Sequence, residues 1–570
     1  MRQNKSVGWP LAVFTELVLC VLTTCQGKQI DRKNLEEPSD YLKAGEQDVQ
    51  GWREMRFGLF IHWGPVSLKG TEIGWSRGGE RRGTGGKGNI PVEEYDNLYK
   101  QFNPTKFNAE QWVQIAKEAG MKYLVFTSKH HDGFSMFDSK LTDYKITNSP
   151  FKRDVVKELS DACHKAGLKL GFYYSPVDWH HPDYRTENHA RYIEYLHGQL
   201  RELCSNYGKV DIVWFDGLGG TAKDWDSENL LKMIRQLQPN VIINNRAGLP
   251  ADHDTPEQEI GKFQIDRPWE TCMTLCQQWA WKPDDQMKSL KECIHTLVRV
   301  ASGDGNFLFN VGPMPDGQIE PRQVARLKEM GDWLKKYGES IYATRGGPFK
   351  PTSWLASTHK GNAIYVHILA WPSDTITLPP ITRNILSSSI LTGVSSTVTI
   401  KRNEKSIDIS VPKTERQELD TIIKLQLDGP AAEIAPVGLP SASLTSGKKA
   451  RASNVFQNNP SYGADKAVDD DPSTRWATDS GTKQAWLEVD LGRPMTLDRV
   501  QISEAYDRVS RFELQRKDGD RWQTFARGSR IGDEYVQRFS PITAQIVRLN
   551  IIEATEGPTI WEFQLFGAKG

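Results

Sequence analysis

Between residues 52 and 338 the chain alternates short runs of β-branched and aromatic residues with longer amphipathic stretches. The strand-like runs fall at 57–63, 123–127, 170–174, 211–215, 241–244, 263–265 and 307–311. The helix-like stretches fall at 108–119, 154–166, 184–207, 227–238, 284–301 and 321–337. Short apolar runs bounded by turn residues are what parallel strands covered on both faces look like. Asn108 with Gln111 reads as a helix start, and Gly167 and Gly208 read as stops. Seven or eight strand–helix units in this length predict a (β/α)8-type barrel. A doubly wound open sheet is the competing arrangement. No G-x-G-x-x-G follows the first strand, and polar residues end nearly every strand rather than those at one switch point.

Those strand ends carry the chemistry. They read His62-Trp63-Gly64, Lys129-His130-His131-Asp132-Gly133, Tyr173-Tyr174-Ser175, Asp216-Gly217, Asn244-Asn245-Arg246, Trp269-Glu270 and Asn310-Val311-Gly312-Pro313. Asp216 closes the buried run 210–215 and has no packing reason to be there; in a barrel the C-terminal strand ends build the active site. Gathered on one face, these residues make a cup of imidazoles, aromatic rings, an arginine and two carboxylates, suited to a small neutral polyol. No lysine follows a phosphate-cradling glycine loop. The adjacent His130 and His131 would point apart on a strand end, which argues against a shared metal. With 72 basic and 72 acidic residues the formal net charge is zero, which gives no sign of a nucleic-acid partner. The 18 Trp and 17 Tyr are a bias that sugar-binding proteins share.

The runs 57–64 (FGLFIHWG), 127–134 (TSKHHDGF), 214–217 (WFDG) and 309–317 (FNVGPMPDG) together resemble family-29 glycoside hydrolases, the α-L-fucosidases, over about residues 50–340. The resemblance implies a retaining reaction with Asp216 as nucleophile, and His62, Trp75, His130, His131, Tyr173 and Arg246 as substrate-binding residues. It places the general acid/base on Glu270, in the segment 268–273 that resembles the subgroup acting on α-1,3 and α-1,4 linkages. Glu257 and Glu259, in a polar loop, are the other candidates. Two departures stand out. Gly74 occupies the position before Trp75 where many members carry Glu, with Glu72 two residues earlier. The Gly- and Arg-rich run 78–89 reads as an insertion at the mouth, either a mobile rim or a contact for an anionic group. Trp179, Trp279 and Trp281 are candidate walls for the leaving-group sugars.

The rest of the chain divides by pattern. Residues 1–25 read as an export signal whose end, Leu22-Thr23-Thr24-Cys25, resembles a lipobox; export, with secretion, a periplasmic location or a lipid anchor at Cys25, is the expectation. Residues 26–50 form an N-terminal segment and 51–340 the barrel. Residues 341–435 alternate like a β-sandwich, 436–448 are a linker, and 449–570 form a second β-sandwich. That last region carries Ala464–Trp476, Trp486–Gly492 and Ile560–Phe563, which resemble a discoidin (coagulation factor 5/8 C-type) domain of the family-32 carbohydrate-binding-module kind. The resemblance implies a structural calcium at Asp469, Asp471, Thr474 and Glu562, a hard cation suited to such oxygen ligands, and no cofactor for catalysis. Five cysteines after residue 25, an odd number, do not make a disulfide framework. The reading as a whole is a retaining α-L-fucosidase acting on fucosylated oligosaccharides or glycoconjugates. A glycosidase for a fucose-like sugar such as an α-L-galactoside, and a catalytically silent glycan-binding protein, are the alternatives.

Overall fold

The barrel wall consists of seven parallel strands: β1 (Phe57–Ile61), β2 (Tyr123–Lys129), β3 (Lys169–Tyr174), β4 (Ile212–Phe215), β5 (Ile242–Ile243), β6 (Glu270–Thr274) and β7 (Asn306–Val311). The computed structural model describes residues 41–570 apart from 261–262, 393–396, 440–442, 472–473, 533 and 568–570. The export signal, the lipobox and Cys25 lie outside the described residues. The strands run in the order β5-β4-β3-β2-β1-β7-β6, and all but the first residue of β3 are buried along their length. Burial on both faces is what makes these runs continuously apolar. One face of the wall packs Phe60, Val125, Tyr173, Trp214 and Leu308 together inside the barrel; the other packs against the surrounding helices.

Those helices are α1 (Glu46–Met55), α2 (Val92–Asn97), α3 (Ala109–Glu118), α4 (Val155–Ala166), α5 (His189–Asn206), α6 (Ser227–Leu237), α7 (Leu290–Ser302) and α8 (Pro321–Tyr337). The Asn108 side chain accepts the Gln111 N–H at 3.0 Å and starts α3. Gly167, in the left-handed region at φ 67°, ends α4. No described helix is long and apolar enough to cross a membrane.

The eighth position of the wall is irregular. Residues 252–258 run between β5 and β6, bridging Asn244 to His253, Asp254 to Trp269 and Glu257 to Cys272. Asn245 N bonds His253 O at 3.1 Å on one side, and Glu270 N bonds Asp254 O at 2.9 Å on the other. Pro256 has no N–H to give a ladder, which is one reason the segment is not a regular strand. The strand expected at 263–265 does not form. Gln264 N bonds Gly303 O, and Ile265 is 42% exposed, so this run faces away from the barrel; the ladder strand is Glu270–Thr274 instead.

Beyond the barrel, a five-stranded antiparallel sheet centred on Ala363–Ile368 and a three-stranded sheet centred on Ile407–Ser410 enclose a separate aliphatic core. The last module is a seven-stranded antiparallel assembly. Its two 20-residue strands, Ala485–Glu504 and Tyr535–Ala554, bend at register shifts and wrap a core of their own. The connecting stretch is tied at both ends: Val437 pairs with Phe349, and Leu444 N bonds Leu565 O at 2.7 Å. The five cysteines are free and buried.

Candidate active site

Asp216 follows the last residue of β4 at the C-terminal mouth, and its carboxylate is held by three neighbours. Tyr173 donates its hydroxyl to Oδ2 at 2.9 Å, Arg246 donates Nη1 to Oδ1 at 3.1 Å, and His131 Nε2 stands 3.4 Å from Oδ2. Burial alone would raise this carboxyl. His131, the Arg246 charge and the Tyr173 hydroxyl outweigh it and hold Asp216 well below the usual carboxylate range. The group is therefore an anion at neutral pH. The residue after it must be glycine for a local reason: Gly217 N bonds Arg246 O at 3.0 Å, and a Cβ on residue 217 would lie 2.3 Å from that oxygen.

Arg246 carries a second carboxylate. The same Nη1 donates to Glu257 Oε2 at 2.7 Å, while Nη2 donates to Thr255 O at 3.1 Å. Its guanidinium lies over the Trp214 ring, 5.1 Å from the centroid. Two oxygens bound to one nitrogen cannot be further apart than those two bonds laid end to end. The nearest oxygens of Asp216 and Glu257 are therefore less than about 6 Å apart, closer than the roughly 6.5–9.5 Å that separates the carboxyls of inverting glycosidases. Glu257 sits in the irregular eighth segment, which is why no strand pattern announced it.

Glu270 is elsewhere. It opens β6 opposite Asn306, the first residue of β7, so it lies at the N-terminal end of the barrel, at the far end from Asp216. Its side chain is fully buried, accepting from the Tyr123 hydroxyl and from Trp214 Nε1 at 3.1 Å. The expected acid/base position is thus part of the barrel floor, at the opposite end of the strands from Asp216. Glu259 is also away from Asp216; it meets Arg475 of the last module at 3.3 Å.

The imidazoles line the cup. His62 Nδ1 bonds Asn310 Oδ1 at 2.7 Å, which fixes the proton on Nδ1 and leaves Nε2 as an acceptor. Burial lowers His62 to about 4 and takes His130 well below its ordinary value, so both rings are neutral and can give and take hydrogen bonds. His130 stacks on Tyr173 at 5.4 Å, and His131 Nδ1 meets Ser175 Oγ at 2.6 Å. The His130 and His131 rings do not point apart. Both follow the end of β2, past a register shift between Thr127 and Lys129, and their centroids are 4.1 Å apart. Among the described residues no three His, Cys, Asp or Glu side chains gather as a metal site.

Aromatic walls complete the cup. Trp75 meets His131 at 5.6 Å and Trp179 at 5.1 Å, and Trp279 meets His62 at 4.8 Å. Gly74, at φ 67°, lies against His130: a Cβ there would be 2.7 Å from Nδ1, so a Glu at this position would displace the imidazole. Glu72 turns the other way and accepts the N–H groups of Trp279 and Ala280 at 2.9 and 3.1 Å, fixing the Trp279 segment. The insertion is not a free rim. Arg81 lies over Trp75 and Trp179 at 5.1 and 5.4 Å, and Arg82 donates to the carbonyls of His181 and Pro182. Asn310 and Glu72 act as positioning residues that the sequence showed only as parts of a motif and a departure from it.

In the last module, Asp469 accepts from Thr474 Oγ1 at 2.8 and 2.9 Å and from Asp471 N at 3.2 Å. Glu562 is buried, and the Asp470 backbone N–H is the hydrogen-bond donor that lowers its carboxyl. Burial, then Asp470, Asp469 and Asp471, push this carboxyl up to about 9.

Comparison with known proteins identifies the families of the barrel and of the last module. Residues 22–339 match the alpha-L-fucosidase family, and residues 449–563 match the F5/8 type C domain. The human plasma alpha-L-fucosidase is 32% identical over 355 residues, covering 56% of this chain and 76% of that protein. The bovine (Bos taurus) tissue alpha-L-fucosidase is 31% identical over 402 residues, covering 64% and 85%. Among solved structures, alpha-L-fucosidase isoenzyme 1 of Paenibacillus thiaminolyticus superposes with a TM-score of 0.62 at 36% identity, covering 67% of this chain and 99% of that one. A Bacteroides thetaiotaomicron alpha-L-fucosidase, trapped as a covalent intermediate in complex with 2-fluoro-fucosyl fluoride in a Glu-to-Gln variant, superposes at 0.61 with 29% identity, covering 68% and 97%. The chain belongs to the alpha-L-fucosidase family: it is a glycoside hydrolase with a discoidin-type module at its C-terminal end.

Proposed function

We propose that this enzyme removes α-1,3- or α-1,4-linked fucose from branched glycans by a retaining, two-step reaction with Asp216 as nucleophile and Glu257 as acid/base. The observation that carries the assignment is the shared Nη1 of Arg246, which holds both carboxylates at 3.1 and 2.7 Å. In the first step an Asp216 oxygen attacks C1 of the fucose. The bond from C1 to the glycosidic oxygen breaks, and protonated Glu257 gives its proton to that oxygen. In the second step Glu257 takes a proton from water, the water oxygen bonds to C1, and Asp216 leaves as the carboxylate. Arg246 and Tyr173 stabilise Asp216 whenever it carries charge. The neutral imidazoles of His62 and His130, with His131, serve as hydroxyl ligands, and Trp75 provides a ring face. Two carboxyls and water suffice for this chemistry. The trapped fucosyl intermediate of the Bacteroides relative supports the covalent route. The linkage rests on the likeness of segment 268–273 to the corresponding subgroup.

We further assign a structural calcium to the C-terminal module, held by Asp469, Asp471, Thr474 and Glu562. The buried Glu562 carboxyl, near enough to Asp470, Asp469 and Asp471 to be raised by them, offers oxygen ligands of the kind a hard cation takes, although among the described residues these side chains do not gather as a ready-made metal site. The cation would neutralise that acidic cluster and fix the turn.

Asp216→Gly is expected to lower turnover of an aryl fucoside by at least about 10⁴-fold, the scale set by loss of a nucleophile. Azide should restore it by forming a glycosyl azide. A folded Asp216→Gly protein that azide cannot rescue, or a 2-fluoro-fucosyl probe that labels another residue, would overturn the assignment.

A further inference from the structure

The C-terminal module touches the loop that carries Glu257. Arg475 Nη1 lies 3.3 Å from Glu259 Oε2, and Glu259 is two residues from Glu257, about 7 Å of extended chain. Glu259 is anchored on its other side, where its backbone carbonyl accepts the Thr271 hydroxyl. On the module's side Arg475 is held by rings: its guanidinium is 4.8 Å from Trp561, 5.4 Å from Tyr462 and 5.8 Å from Tyr506. Its Nε finds no acceptor among the described residues, so the rings and Glu259 fix its direction. Tyr506 is 50% exposed, and its ring carries a second guanidinium, that of Arg508, 4.3 Å from the centroid.

We propose that the discoidin-type module is a working part of the active site. Arg475 acts as a positioning residue that holds the Glu257 loop through Glu259. This rests on the reading of Glu257 as the acid. The effect falls on substrates whose leaving group must be protonated, such as branched fucosyl-oligosaccharides.

The test compares two substrates on the full-length protein. One is an aryl fucoside with an acidic phenol, which departs with little help from an acid. The other is a branched fucosyl-oligosaccharide, whose sugar alkoxide must be protonated to leave. Arg475→Ala and Glu259→Gln should each lower kcat/KM for the oligosaccharide relative to the aryl fucoside by about fivefold, the ceiling for a partly exposed ion pair. The double variant should be no worse than either single one, as for a coupled pair, and Arg475→Lys should recover part of the loss. Glu257→Gln, run alongside, separates the two levels. If it loses the oligosaccharide selectively while Arg475→Ala matches the parent on both substrates, the acid assignment stands and this inference fails. If Glu257→Gln shows no leaving-group selectivity, both fall. An equal loss on both substrates in Arg475→Ala would mark a purely structural contact and also overturn the proposal.

Discussion

Asp216 meets Tyr173, His131 and Arg246, whereas Glu270 meets Tyr123 and Trp214, and those partners set the charge each carboxyl carries. A cation beside Asp216 keeps it ionised. Glu270 has only neutral donors, so burial dominates and raises it to about 7. The consequence is a pH-dependent stability. An unfolded glutamate titrates near about 4.3, so between there and about 7 the unfolded chain gives up a proton that the folded chain keeps. The contribution of Glu270 is complete below that window and is lost as pH rises through it. Glu270→Gln is therefore expected to match the parent in urea unfolding at pH 4 and to exceed it at pH 8, with aryl-fucoside turnover retained. An active-site acid would behave differently: Glu257→Gln should leave stability nearly unchanged and abolish turnover of substrates with poor leaving groups. Asp216 was legible in the sequence because a buried strand that stops on a carboxylate is an anomaly. Glu257 was legible only as one of two polar-loop alternatives to Glu270, because the segment carrying it lacks a strand pattern and only the fold brings it to Arg246 and Asp216.

At the scale of elements, the joint between the barrel and the first sandwich is electrostatic. Asp304, with a side chain closed to solvent, receives Arg53 at 2.5 Å and Arg56 at 2.6 Å. Arg345 reaches it at 2.6 Å from the two-residue strand Arg345–Gly346 that edges the five-stranded sheet. Burial would raise this carboxyl, but Arg56, Arg345 and Arg53 together lower it. Removing one partner of a buried charge network costs about 3–5 kcal/mol because the others remain desolvated. Asp304→Ala is expected to lose about that much stability in urea unfolding. The depressed carboxyl also gives the sign of the acid response: its contribution is intact above about pH 4 and is lost as pH falls through the lower folded value. The parent should therefore destabilise more than Asp304→Asn on strong acidification. None of this was visible beforehand. The alternation of apolar runs announces strands and helices, since burial on both faces demands it, but it does not say which charges meet beneath them. The same limit explains the misplaced strand at 263–265: a short run with Phe263 and Ile265 has the composition of a strand, and only the exposure of Ile265 and the bond from Gln264 to Gly303 show that it passes outside the wall.

At the scale of the whole molecule, the last module reaches the loop that carries Glu257 and Glu259 through Arg475, and Arg475 directly follows Thr474, whose hydroxyl bonds Asp469. The state of the acidic turn therefore bears on how firmly Arg475 is presented. Without a cation Glu562, raised to about 9 by burial and by Asp470, Asp469 and Asp471, holds a proton at neutral pH. Calcium takes a carboxylate, so binding must release that proton. Apparent calcium affinity should then rise by about tenfold per pH unit up to about pH 9 and level off above it. Thermal unfolding with calcium or chelator at pH 6, 7 and 8 reads this directly: the calcium-dependent rise in Tm should grow with pH. Glu562→Gln, which keeps the shape and removes the ionisation, should abolish both the rise and its pH dependence. A stabilisation by calcium that is the same at all three values, or that survives in Glu562→Gln, would place the cation away from this cluster and remove the link between the turn and Arg475.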